Sequence, residues 1–100
     1  MDLKQAIEIG KCLSNGTRLE ILEWLKQPDA NFPPNTTNIP NSEGVCLSFI
    51  YEKAGLSQST ISNYLNGMVR CGLLELKRLG KWTYFKRNQK TIDEYLDFIK

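Results

Sequence analysis

One hundred residues suffice for a single domain with one modest core and not for two, and 13 Lys and Arg against 11 Asp and Glu leave a net charge of only +2. No apolar run approaches membrane-spanning length, the opening Met1-Asp2-Leu3-Lys4-Gln5 lacks the basic start and apolar stretch of a signal peptide, and an odd set of three cysteines reads as reduced thiols in a cytoplasm. With no histidine there is no Ser-His or Cys-His pair, and with neither clustered carboxylates nor a glycine-rich phosphate loop an enzyme is the most distant reading.

Taken in chain order, Leu3, Ala6, Ile7 and Leu13 follow helical spacing through residues 2–13, with Lys4, Glu8 and Lys11 toward water. Asn15 is placed to cap a second helix, and Thr17 with Glu20 fits a capping box. Leu19, Ile21, Leu22, Trp24 and Leu25 give that helix a broad apolar surface and make it the expected best-buried element. From Pro28 to Gly44 the periodicity disappears among four prolines, several asparagines and few apolar residues. This stretch is expected to be a loop insert of the kind surfaces tolerate, pinned by Phe32 and Ile39.

Leu47 to Ala54 is helical, and Gly55-Leu56-Ser57 interrupts it. Gly55 can end one helix, Leu56 is expected to plug the corner, and Ser57 can cap the next helix. Two helices joined by a three-residue turn containing glycine make a helix-turn-helix over residues 47–70. Counting from Leu47, Gly55 is ninth and Ile61 fifteenth, the usual glycine and β-branched places, whereas the fifth, normally small, is Tyr51. That departure predicts a looser or differently angled helix pair.

In the helix from Ser57 to Arg70, Ile61, Leu65 and Met68 form the apolar face with Tyr64 beside them. Ser59, Asn63, Asn66 and Arg70 lie opposite, flanked by Gln58, Thr60 and Ser62. An ordinary surface helix mixes Glu and Lys. Here the outer face is short, polar and almost free of acid, which suits hydrogen bonding to base edges. Gln58, Ser59, Thr60, Ser62 and Asn63 are therefore the candidate base readers, with Ser57 or Arg70 adding backbone contacts.

Leu74 to Arg78 alternates apolar and polar residues, Leu79-Gly80-Lys81 offers a turn, and Trp82 to Arg87 resumes strand-forming residues. The result is a basic hairpin, or wing, over residues 74–87. Lys77, Arg78, Lys81 and Arg87 are its candidate contacts with phosphate or the minor groove. Trp82, Tyr84 and Phe85 are expected to pack on the domain and not on bases. Residues 45–90 carry a local excess of +6, against −2 in each flanking segment, so the basic charge coincides with the candidate reading head. Finally, Thr91 with Glu94 fits a capping box, and Ile92, Tyr95, Leu96 and Ile99 make a stripe on the last helix, 91–100. Paired with Leu3 and Ile7 of residues 1–13, Tyr95, Leu96 and Ile99 read as a dimer seam.

These blocks resemble the ArsR-type winged-helix repressors. Asn15-Gly-Thr-Arg-Leu-Glu-Ile-Leu is similar to that family's Asp-Pro-Thr-Arg-Leu-x-Ile-Leu, and Ser57-Gln-Ser-Thr-Ile-Ser with Leu65, then Gly72-Leu-Leu and Gly80-Lys81…Tyr84-Phe85, resemble the rest. The likeness covers nearly the whole chain outside 28–44. It implies a homodimer held by the first and last helices, binding a near-palindromic double-stranded operator and blocking transcription until an effector releases it. Asn63 stands where the family often has Arg, which implies a different base preference. The metal-sensing members carry Cys-Val-Cys where this chain has Gly44-Val45-Cys46, and others use His and Asp, so no metal and no cofactor is expected.

Cys12, Cys46 and Cys71 are more simply buried apolar residues than a redox switch. Cys46, at the position corresponding to the family's ligand site, is the thiol to test for a redox role. The fold expected is mainly α with a small β-hairpin, a dimeric winged helix-turn-helix in the order α-α-α-α-β-β-α. The rival reading is a winged-helix protein-interaction module that never touches DNA.

Overall fold

The computed structural model describes all 100 residues. Helix α1 (Leu3–Leu13) starts where the Asp2 carboxylate accepts the Gln5 N–H at 2.8 Å. Helix α2 (Gly16–Trp24) starts at Asn15, whose side chain accepts the Arg18 N–H at 3.0 Å. The cap is therefore Asn15 and not the Thr17–Glu20 box. After these come a one-turn helix α3 (Pro28–Asn31), a 3₁₀ turn (Asn41–Glu43) and strand β1 (Val45–Cys46). Helices α4 (Leu47–Ala54) and α5 (Gln58–Arg70), strands β2 (Leu74–Leu79) and β3 (Trp82–Arg87), and helix α6 (Gln89–Ile99) complete the chain. This is a winged helix-turn-helix, as the pattern predicts. The short α3 and the two-residue β1 are additions too brief for periodicity to reveal.

The core gathers Ile9 and Cys12 of α1, Ile21 and Leu22 of α2, Ile50 of α4, Ile61, Leu65 and Met68 of α5, and Val45, Leu74 and Phe85 of the sheet. The apolar stripe expected on α5 is its buried face. Helix α2 is not the best-buried element: Leu19 is exposed, and α5 contributes more fully enclosed side chains. A broad apolar surface on one short helix cannot all face one core. On α1 the inward stripe is Ala6, Ile9 and Cys12, which leaves Leu3 and Ile7 outside.

Residues 28–44 are not a featureless loop. Phe32 is buried edge-on to Trp24, with ring centroids 6.4 Å apart. Asn35 Nδ2 donates to the Ile39 and Gly44 carbonyls at 3.1 and 2.8 Å, and its Oδ1 accepts the Cys46 N–H at 3.2 Å. Asn41 links Asn35 N–H (3.1 Å) to the Pro33 carbonyl (3.0 Å). Buried backbone groups require partners, and the two asparagines supply them where no ladder can. Gly44 takes φ +147°, and a Cβ there would stand 2.8 Å from Tyr84 Cβ, so only glycine lets the segment press on β3.

The sheet runs β1-β3-β2, all antiparallel, with Val45 opposite Phe85 and Leu76 opposite Phe85 on the other side. Leu79 pairs with Trp82, leaving Gly80-Lys81 as the two-residue turn. The hairpin projects beyond the core, so the alternation in β2 does not produce burial: Leu76 and Leu79 are exposed, as is Trp82, contrary to its expected packing. Tyr84 and Phe85, nearer the base, are buried. Helix α6 is capped by Asn88, which accepts the Thr91 N–H at 3.2 Å, so the Thr91–Glu94 box is not used and Thr91 is buried instead.

Candidate nucleic-acid interface

The turn between α4 and α5 follows from local chemistry. Gly55 adopts the left-handed conformation (φ +69°, ψ +25°) that closes α4, and its N–H reaches the Tyr51 carbonyl at 3.0 Å. Ser57 Oγ accepts the Thr60 N–H at 3.2 Å and donates to Thr60 Oγ1 at 2.9 Å. The Ser57 hydroxyl is thus occupied as a cap, and its hydrogen is not free for a phosphate. Leu56 does not plug the corner; it is exposed at the tip of the turn.

On α5, Gln58, Ser59 and Asn63 are exposed, while Thr60 and Ser62 are half-buried. None of the side chains of Gln58, Ser62 or Asn63 is engaged in a hydrogen bond, whereas Ser59 Oγ lies 3.3 Å from Ser57 Oγ. The helix therefore presents unpaired amides and a hydroxyl on a rigid scaffold whose other face is the core.

The wing comes back beside this surface. Lys81, Trp82 and Thr83 line one small cleft with Gln58, together with Cys46, Leu47, Ser48 and Tyr51. The hairpin tip and the first residue of α5 are therefore neighbours. Lys81 Nζ lies 5.3 Å from the Trp82 ring centroid, so the exposed indole supports the cation. Opposed residues of an antiparallel pair share a face. Lys77 thus accompanies Tyr84 on one face of the hairpin, and Arg78 accompanies Thr83 on the other. The first is the face covered by residues 35–44, where Thr37 Oγ1 and the Tyr84 hydroxyl lie 2.6 Å apart. Lys77 shares a surface there with Glu43, Glu75 and Lys86, so its charge is partly matched by acid.

Two of the expected contacts have surroundings of their own, away from the wing tip and the start of α5. Arg87 is at the base of the wing, where Nη1 donates to the Leu22 carbonyl at 2.9 Å and Nη2 to Gln89 Oε1 at 3.2 Å. It ties β3 to α2 and is not a free wing cation. Arg70 lies at the far end of α5, about 18 Å along the axis from Gln58 at 1.5 Å per residue. There it lines a cleft with α1 and α2, apart from the candidate base readers at the start of the helix.

Helices α1 and α6, which pack on one another, expose apolar side chains: Leu3 at 65%, Leu96 at 54% and Ile99 at 57%, with Ile7 and Phe98 also outside. Phe98 was missed in the sequence because it falls off the Ile92-Leu96-Ile99 spacing. Tyr95 does not belong to this exposed set: it is half-buried against the core, with its hydroxyl 3.8 Å from where a Gly10 Cβ would stand, and so joins α6 to α1 within the chain.

Among the thiols, Cys46 is buried, with Ser48 Oγ 3.4 Å from its Sγ. The thiols that act on each other are instead Cys12 and Cys71, and the Cys71 thiol donates to the Met68 carbonyl at 3.5 Å. Burial, and secondarily Cys71, push the Cys12 thiol up to about 11. The redox expectation centred on Cys46 therefore has no partner thiol there. No group of three His, Cys, Asp or Glu side chains is arranged to hold a metal ion. No helix is long and apolar enough to cross a membrane.

The chain is 46% identical over 96 residues to the uncharacterized HTH-type transcriptional regulator YbzH of Bacillus subtilis (strain 168), covering 96% of each. It is 25% identical over 85 residues to ArsR2 of Halobacterium salinarum, named for repression of an arsenical resistance operon, covering 85% of this chain and 60% of that one. In fold it is similar to the solution structure of the homodimeric winged helix-turn-helix DNA-binding domain Mb0332 of Mycobacterium bovis. The TM-score is 0.68 at 24% identity, over 97% of this chain and 76% of that one. No family model matches the chain.

Proposed function

The chain belongs to the ArsR-type HTH transcriptional regulators, and from that premise we propose that it is a homodimeric repressor that reads a near-palindromic operator without sensing a metal. The observation that carries this reading is the juxtaposition of α5's uncharged, unpaired outer face with the cationic wing tip: Gln58 and Lys81 line one cleft. Gln58, Ser59 and Asn63 read base edges, with Thr60 and Ser62 at the margin of the contact. Lys81 and Arg78 grip the backbone, with Lys77 contributing less because Glu43 and Glu75 lie beside it.

The exposed Leu3, Ile7, Leu96 and Ile99 form the dimer seam. A two-fold axis through α1 and α6 is what sets two copies of α5 about 34 Å apart, on successive major grooves. The absence of histidine and the single thiol in Gly44-Val45-Cys46 support a regulator whose signal is not a metal ion. Operation in the cytoplasm accompanies this reading.

Selection of bound duplexes from a random pool, followed by anisotropy titration of the winners, tests it. The expected product is a two-fold-symmetric site with half-sites one helical turn apart, bound by two chains. Negligible affinity for every duplex at low salt would overturn the reading and favour a protein-docking role.

A further inference from the structure

At the far end of α5 from the reading head, a cleft of about 420 Å³ opens between α1, α2 and α5. Its size falls in the range of small-molecule sites. It is lined by Lys11 and Glu8 of α1, Arg18 of α2, and Gly67 and Arg70 of α5, with Cys12 and Cys71 as its floor. Three cations therefore face one carboxylate.

The cations are also short of partners. The guanidinium of Arg18 lies over the Tyr64 ring, with Cζ 4.7 Å from the ring centroid. That contact satisfies none of its N–H groups. Arg18 Nε is buried without a hydrogen-bond partner. Neither Arg18 nor Arg70 has a carboxylate within 4.0 Å, and the one ion pair in the cleft, Lys11 with Glu8 at 3.6 Å, is between exposed side chains. Such a pair is worth little. A buried guanidinium N–H normally finds an acceptor, and here the protein supplies none to Arg18 Nε.

Gly67 adds an independent indication. It sits inside α5 at an ordinary helical φ, where glycine costs about 0.5–1 kcal/mol relative to alanine. No turn or backbone approach requires it. A Cβ there would meet only Arg70 Nη2, at 3.7 Å. What glycine provides at this position is open space beside the Arg70 head. The Cys12 thiol does not compete for the cations, since burial keeps it protonated.

We propose that this cleft binds a small dianionic oxyanion, of the phosphate or dicarboxylate type, held by the N–H edges of Arg18 and Arg70 and by Lys11. Planar guanidinium forks match such groups in bidentate geometry. Because the cleft joins α1 to α5, its occupancy would couple the dimer helix to the reading helix. That consequence rests on the DNA-binding reading; the binding itself does not.

Calorimetric titration of the full chain, without DNA and in low-chloride buffer, tests the site with inorganic phosphate and with succinate as separate probes. Saturable binding of one anion per chain is expected. Saturation by phosphate alone assigns the phosphate class, and by succinate alone the dicarboxylate class. Arg70→Gln is expected to weaken it about tenfold and Lys11→Gln severalfold. Both residues are exposed, so the fold is kept, as unchanged melting without anion will verify. No saturable binding of either anion overturns the proposal, as does binding left unchanged by both substitutions. Measuring without DNA keeps this outcome separate from that of the operator selection.

Discussion

Arg87 donates through Nη1 to the carbonyl oxygen of Leu22 at 2.9 Å, across 65 positions of chain. The bond fastens the base of the wing to the last turn of α2, so the hairpin leaves the domain at a set angle. One basic residue of the wing thus serves its attachment, while Lys81, at the tip, is free to serve contact.

Arg87→Ala should therefore separate stability from DNA binding. Losing a charge-assisted bond to a half-buried carbonyl costs about 1.5–3 kcal/mol, or a melting point lower by roughly 10 °C for a domain of this size. Operator affinity measured well below that melting point should change far less. An unchanged melting curve with lost affinity would return Arg87 to the contact surface.

Lys81→Ala should weaken binding to all duplexes alike and reduce the slope of log K against log salt by about 1. The comparison is a set of anisotropy titrations at several salt concentrations on operator and scrambled DNA.

Asn63→Ala should instead alter which duplexes are selected, removing about 1–3 kcal/mol of discrimination at one position of each half-site. Repeating the random-pool selection with the variant reads this directly. A uniform loss across all sequences would make Asn63 a backbone contact.

Asn35→Ala should be among the most destabilising single changes outside the apolar core. It strands the Cys46 N–H and the Gly44 carbonyl, each at about 1–3 kcal/mol, and releases residues 35–44 from Tyr84. Chemical denaturation gives the size of the loss, and proteolysis cutting first within 35–44 locates it. Stability close to that of the parent chain would mean that the segment holds without its asparagine bonds.

Alkaline melting should report the buried thiol. Cys12 is held protonated in the folded state up to about 11, against an ordinary value of 9.0. Between those values the unfolded chain loses a proton that the folded chain keeps, so this group's contribution to stability is full below about 9 and declines as pH rises toward 11. Cys12→Ala should show a shallower alkaline decline than the parent chain when the two melting series are overlaid.

What the sequence determined by itself were the features that depend on near neighbours. The α5 stripe of Ile61, Leu65 and Met68, the closing of α4 at Gly55, the Ser57 cap and the hairpin about Gly80-Lys81 all arise from spacings of a few residues. Family membership was legible for the same reason, because its motifs are short blocks. The tertiary structure alone decided where long-range partners fall. Asn35 and Asn41 look like loop composition until the backbone groups they satisfy are folded against them. Arg87 looks like one more wing cation until Leu22 arrives beneath it, and Tyr95 like a seam residue until Gly10 is seen to receive it. Arg18 and Arg70 lie far apart in the chain, and only the packing of α1, α2 and α5 sets their unpaired guanidinium groups around one cleft. A polar side chain carries no mark of whether its partner is water, its own backbone or another molecule; that is decided by what folding brings within 3 Å of it.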